Sequence, residues 1–189
     1  FNIRRDHPAG NRCEDIVQNL LSFVRHESPA PEDIAATDLI DSTLRFIGPE
    51  IRKAGIDFEK EIQTSGVRLY IDRVQIEQAV LNLLTNAFQE LENVDQPRRL
   101  RLTVRVEEQT LEIIVEDNGR GVPPGVRERL FEPFATGKPQ GTGIGLSLSR
   151  QFVESHGGTI RYDESPELGG ARFTIQLPIK NGSPIQAST

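Results

Sequence analysis

The chain has 189 residues, with 22 Lys and Arg against 28 Asp and Glu and a formal charge of −6. About 36% is hydrophobic and 26% charged, so a packed core is possible and wholesale disorder is excluded. The acidic balance argues against nucleic acid as a main partner; the lone Cys13 excludes an internal disulfide framework and a multi-cysteine zinc site.

No apolar run nears the roughly 18 residues of a membrane span. The chain opens at Phe1 and contains no methionine, which reads as an excised or processed piece of something longer. Asp6 to Gly10 has turn composition. From Arg12 to Arg25, Ile16, Leu20 and Phe23 and also Val17, Leu21 and Val24 recur at three- and four-residue steps. That spacing predicts a short amphipathic helix, packed on the main body or on an absent helix. Pro29 and Pro31 break it and favour extended backbone.

Beyond that linker, helices and strands alternate. Thr37 or Asp38 is the expected cap of a helix through Lys53, closed by Gly55. Ile56 to Gln63 and Val67 to Ile71 read as strands. Val74 to Glu92 is a long amphipathic helix with Asp72 as its N-cap. Leu100 to Glu107 and Leu111 to Glu116 are strands joined by a turn. Gly145 to His156 is a helix ended by Gly157 and Gly158. Thr159 to Tyr162 and Ala171 to Leu177 are the last strands, followed by a polar tail from Asn181 to Thr189. This order, with its hairpins, predicts an α/β two-layer sandwich and not a doubly wound parallel sheet.

Four stretches carry chemistry. Asn82 and Asn86 lie four apart on one face of an apolar helix, where asparagine is a poor helix former. They are either surface amides or neutral oxygens suited to a hard cation that also holds phosphate, such as Mg²⁺. Asp117-Asn118-Gly119-Arg120-Gly121 follows a strand; taken alone it is more simply a hairpin turn. The same geometry fixes a carboxylate where an amino group can donate to it, beside glycines that let a ligand ring approach. Gly141, Gly143 and Gly145 open a helix and aim bare amides at an anion; by itself that is a weak phosphate-loop signal. Phe131 and Phe134 flank Pro133 just before this loop, as core aromatics or as part of a hinged lid.

Together, in this order and spacing, the stretches resemble the N, G1, F and G2 boxes of the sensor histidine kinases, which share an ATPase/kinase superfamily with the Hsp90 chaperone, MutL and DNA gyrase. NLLTNA at 82–87, DNGRG at 117–121, FEPF at 131–134 and GTGIGLSLSR at 141–150 carry the likeness, with HGG at 156–158 and GGARFTIQLP at 169–178. The resemblance covers about Ile34 to Lys180. Gln89-Glu90 and the Lys138-Pro-x-Gly-Thr-Gly run are similar to the nitrogen-regulatory branch.

The resemblance implies a mixed, largely antiparallel sheet packed on about three helices, the Bergerat ATP-binding fold. It divides the chain into a dimerisation-helix remnant at 1–27, a linker at 28–36, a catalytic domain at 37–180 and a loose tail at 181–189. It implies ATP and Mg²⁺ as cofactors. Asp117 would bind the adenine amino group, with Gly119 and Gly121 lining its pocket. Asn86 would hold the metal, with Asn82 beside it. Lys138 would reach the terminal phosphates, and Gly141, Thr142, Gly143, Gly145 and Leu146 would form the phosphate-binding turn. Thr174 is assigned a water-mediated adenine contact. Phe131 and Phe134 would pack the lid, and Gly137 stands where the family often has threonine.

The implied reaction moves the γ-phosphoryl group of ATP to a histidine on a dimerisation domain, for relay to a response-regulator aspartate, in the cytoplasm. Relatives that activate water or phosphorylate serine place glutamate at the position of Asn82, so asparagine favours a histidine acceptor. The chain's own histidines do not serve. His26 precedes Pro29 and Pro31, which break the helix an acceptor needs; His7 lies in a loop and His156 at a helix end. The expectation is a chain that binds ATP without phosphorylating itself. It would be monomeric, or self-associate weakly through Ile16, Leu20 and Phe23. Two other readings remain: an ATPase or serine kinase of the same superfamily, and a non-enzymatic nucleotide-binding module.

Overall fold

The computed structural model describes residues 30–95, 97–136 and 142–179. The amphipathic stretch at 12–25, His7, His26, Gly137, Lys138, Gly141 and the tail from Asn181 lie outside the described residues.

A five-stranded sheet carries the fold. Its strands are β2 (Asp57–Ile62), β4 (Arg99–Glu107), β5 (Thr110–Asp117), β6 (Thr159–Glu164) and β7 (Ala171–Pro178), in the spatial order β2-β4-β5-β7-β6. Only β2 with β4 is parallel; the other three pairings are antiparallel. Strands β1 (Glu32–Ala35) and β3 (Arg68–Ile71) form a separate antiparallel pair. The helices are α1 (Ala36–Lys53), α2 (Arg73–Leu91), a single turn α3 (Pro124–Arg127) and α4 (Gly145–Ser155).

Periodicity explains the layers. On α1, Ala36, Leu39, Ile40, Thr43, Ile47 and Ile51 are buried, one stripe at helical spacing. On α2 the buried set includes Ile76, Ala79, Val80, Leu83, Leu84, Ala87 and Leu91. These stripes meet one face of the sheet, formed by Leu100, Leu102, Val104, Leu111, Ile113, Val115, Phe173, Ile175 and Leu177. The two-layer α+β sandwich expected from sequence is the architecture found, with three long helices on one face.

Two local expectations are corrected. Thr37 and Asp38 do not cap α1: the cap is Ala35, which offers no side-chain hydrogen bond, and both residues sit in the first turn. The backbone of Ala35 is already committed to β1, and Ala36 N–H is taken by Val67 C=O at 3.0 Å. Residues 32–35, read within the linker, form a strand because β3 offers them a partner edge.

The other sheet face is polar and closed by ion pairs. Glu112, 3% exposed, accepts hydrogen bonds from Arg105 at 2.9 and 3.0 Å and from Gln176 at 2.8 Å, with Arg161 at 3.6 Å. Burial pushes its carboxyl up, but the hydrogen bonds from Gln176 and Arg105 and the charges of Arg105 and Arg161 outweigh burial. The net effect holds Glu112 below the usual carboxylate range. A depressed folded value contributes stability that is complete above the unfolded value and is lost as pH falls through the folded one. Urea titrations of wild type and Glu112→Gln from neutral to acid pH should therefore converge as pH falls. An equal gap at every pH would contradict this role.

Candidate functional site

The site is built from α2, the ends of β5 and β7, and the start of α4. Asp117 closes β5 in the middle of the sheet and is 2% exposed. Its Oδ1 accepts the N–H of Gly119 at 2.7 Å and that of Ala171 at 3.3 Å. Asn118 turns the other way: its Oδ1 accepts Arg99 N–H at 2.7 Å and its amide donates to Pro97 C=O at 2.8 Å. Asp-Asn-Gly here is therefore no hairpin turn; it locks the end of β4 and leaves Asp117 pointing inward.

Gly170 has a role that sequence reasoning missed. A Cβ there would lie 2.4 Å from Asp117 C=O, 2.6 Å from its Oδ1 and 2.6 Å from Gly119 N. The carboxylate occupies the space that any side chain at 170 would fill. The Gly169-Gly170 pair before the last strand was the available signal, but its partner lies far away in sequence. A Cβ at Gly119 would come within 2.8 Å of Asp117 Oδ1 and 3.0 Å of Glu90 Cβ. Gly121 takes φ +67°, a backbone shape that glycine adopts without strain.

At the other end, Asn82 Nδ2 donates to Gly145 C=O and to Ser149 Oγ, both at 3.2 Å. Its Oδ1 accepts from Gln78 Nε2 at 2.9 Å. Asn82 thus clasps α2 to the first turn of α4. Asn86 follows one turn later on the same α2 face and is half-buried. Glu90, a further turn on, meets Gly119. One face of α2 therefore runs from Gly145 to Gly119, a rise of about 12 Å over eight residues.

The loop before α4 is held by backbone. Gly143, at φ +67°, accepts Phe134 N–H on its C=O at 3.0 Å, and a Cβ there would meet Phe134 C at 2.5 Å. Thr142 Oγ1 is 3.5 Å from Ile144 N, and Leu146 packs half-buried on the core. Phe131 stands edge-on to Phe173 with centroids 6.5 Å apart. Phe134 is not a core aromatic: it is 75% exposed and takes φ +66°. His156 is the C-cap of α4, as its two following glycines indicated. Its Nδ1 lies 2.7 Å from Phe152 C=O, and Nε2 accepts Asp72 N–H at 2.9 Å, tying the far ends of α4 and α2 together.

Thr174 is the residue that the structure does not bring to the site. Alternation along β7 puts Ala171, Phe173 and Ile175 toward the helices, and Arg172, Thr174 and Gln176 on the opposite face with Glu112. Asp117 meets β7 at Ala171, on the helix side. Thr174 is fully buried, and its Oγ1 finds no hydrogen-bond partner among the described residues.

Residues 71–181 match the family described as histidine kinase-, DNA gyrase B- and HSP90-like ATPase. The chain belongs to this family. It is 33% identical over 197 residues to the alginate biosynthesis sensor protein KinB of Pseudomonas aeruginosa, covering 93% of this chain and 32% of that one. It is 32% identical to the signal transduction histidine-protein kinase AtoS of Escherichia coli, covering 87% and 26%. Among solved structures, the catalytic domain of histidine kinase ThkA superposes with a TM-score of 0.70 at 30% identity, covering 79% of this chain and 95% of that one. The chain spans about a third of the length of such curated relatives. The matched region is the ATP-binding catalytic domain of the sensor histidine kinases. Among the described residues no helix is long and apolar enough to cross a membrane.

Proposed function

We propose that this domain binds Mg-ATP between Asp117 and the α4 N-terminus and passes its γ-phosphoryl group to a histidine of a dimerisation domain in the parent protein. The observation that carries the proposal is the α2 face Asn82–Asn86–Glu90, which spans the gap between the two glycine loops.

Asp117 accepts the adenine amino hydrogen, its carboxylate already oriented by Gly119 and Ala171. Gly119 and Gly121 line the ring. Gly143 and Gly145 present the opening turn of α4, whose amides and dipole favour phosphate; Thr142 and Leu146 shape that turn, and Lys138 and Gly141 belong to the same run. The donor set fits a hard divalent cation: the Asn86 amide oxygen supplies a neutral ligand, and phosphate oxygens and water complete the shell. Bound there, Mg²⁺ would neutralise charge on the transferring phosphoryl group.

Asn82 contributes no base. An attacking water needs one to take the proton it sheds as it attacks; a neutral imidazole does not, because its attacking ring nitrogen carries no proton. The new N–P bond forms as the bond to the ADP oxygen breaks, and the chain's task is to hold donor and acceptor in line. Downstream partners follow the relatives: a ThkA structure is a complex with a response regulator protein, and full-length ShkA was solved with AMPPNP.

The test is transfer from γ-labelled ATP. Mixed with a separate helical-hairpin domain bearing the acceptor histidine, this chain should label that domain with acid-labile phosphate. Histidine-to-glutamine substitution in the acceptor should abolish the label. Rapid phosphate release without labelling would favour an ATPase instead.

A further inference from the structure

Beyond the boxes, Val122 follows Gly121 directly, and both of its peptide groups are held by side chains. Its N–H donates to the Tyr162 hydroxyl at 3.1 Å, and its C=O accepts from Arg127 Nε at 2.7 Å. The same guanidinium lies 5.8 Å over the Tyr162 ring and donates through Nη2 to Glu164. Tyr162 in turn packs at a tilt against Phe173, centroids 5.3 Å apart, and Phe173 makes a T-shaped pair with Phe131. Both Tyr162 and Glu164 belong to β6, an edge strand of the sheet.

We propose that Tyr162 and Arg127 are positioning residues for the nucleotide: together they fasten the exit of the Asp117–Gly121 loop to β6. The inference rests on the ATP reading above. The Val122 peptide lies outside every described strand, so its orientation passes to side chains. Gly121 leaves its neighbours free to rotate; the Val122 peptide, clamped from both sides, removes that freedom. The loop then presents one wall to a purine before any ligand arrives, and less ordering is left to binding. The fastening also separates the lid into two parts. Residues 122–131 are anchored to the sheet through Tyr162, Arg127 and Phe131. Phe134 is tied instead to the phosphate end, through Gly143.

Tyr162→Phe keeps the ring and its packing and deletes one acceptor. Isothermal titration of the full chain with adenosine and with ATP, at a temperature where every variant is folded, is the test. Tyr162→Phe should weaken both ligands by about the same factor, around fivefold, the worth of one neutral hydrogen bond. Exchange of the Val122 amide should quicken. Combined with Arg127→Gln, the loss should be smaller than the product of the single losses, because both contacts restrain one residue. Unchanged affinity in Tyr162→Phe would overturn the proposal even if Val122 exchange rose, since the fastening would then be structural only. A multiplicative double variant would overturn the shared clamp. Failure of the wild type to bind ATP would instead overturn the nucleotide reading, and this inference with it.

Discussion

Asp117→Asn is expected to remove ATP binding while leaving the fold in place. The argument is one of donors and acceptors. Asp117 Oδ1 already accepts two backbone N–H groups, from Gly119 and Ala171. An asparagine can keep those bonds only by turning its oxygen toward them. Its NH₂ then faces the adenine amino group, donor against donor. In the flipped orientation the NH₂ faces the two backbone N–H groups, and a buried clash of donors replaces two hydrogen bonds. Neither rotamer works, so the loss exceeds that of one charged hydrogen bond, about 1.5–3 kcal/mol. Affinity should fall by about a hundredfold or more, read by calorimetry beside a wild-type control. The backbone amide spectrum should change only around β5 and β7. Binding within about threefold of wild type would remove Asp117 from the adenine pocket.

Elements whose signal is local were legible in the sequence. Asp72 reads as an N-cap and is one: its Oδ1 accepts Gln75 N–H at 3.1 Å. The β4–β5 pair, the long α2 and the glycine stop after His156 all announce themselves within a few residues. What was hidden depends on partners far along the chain. Strand β1 is four residues with only one buried side chain, too short and polar to stand out, and it exists because β3 pairs with it. The parallel pairing of β2 with β4 leaves no mark on either strand. Thr174 shows the same limit within a strand that was found. The residue is on β7, but the face it occupies depends on register, and one step moves a side chain through the sheet. Phe134 was hidden for a different reason: it sits at φ +66° where its N–H meets Gly143 C=O and is 75% exposed, and hydrophobicity alone predicts the opposite.

Gly170→Ala brings that non-local dependence to a measurement. The added methyl would stand 2.4 Å from Asp117 C=O and 2.6 Å from both Asp117 Oδ1 and Gly119 N. Two of those three atoms are backbone, so no side chain can swing aside to relieve the contact. Its neighbour supplies the control. Gly169 takes φ +82° with open space around its Cα. Alanine there is strained by backbone conformation alone, about 1–2 kcal/mol, and touches nothing in the site. Alanine at 170 has the reverse profile, steric overlap with the site itself, where overpacking costs about 1–3 kcal/mol or more. Thermal melts should therefore show both variants destabilised. Calorimetry at a temperature where both remain folded should separate them: ATP affinity close to wild type for Gly169→Ala and lowered at least tenfold for Gly170→Ala. The separation is expected because displacing Asp117 by even a fraction of an ångström misdirects the acceptor that reads the adenine amino group. Equal affinity in the two variants would mean that the Asp117 carboxylate can relax without consequence, and that the close fit of Gly170 serves the strand junction alone.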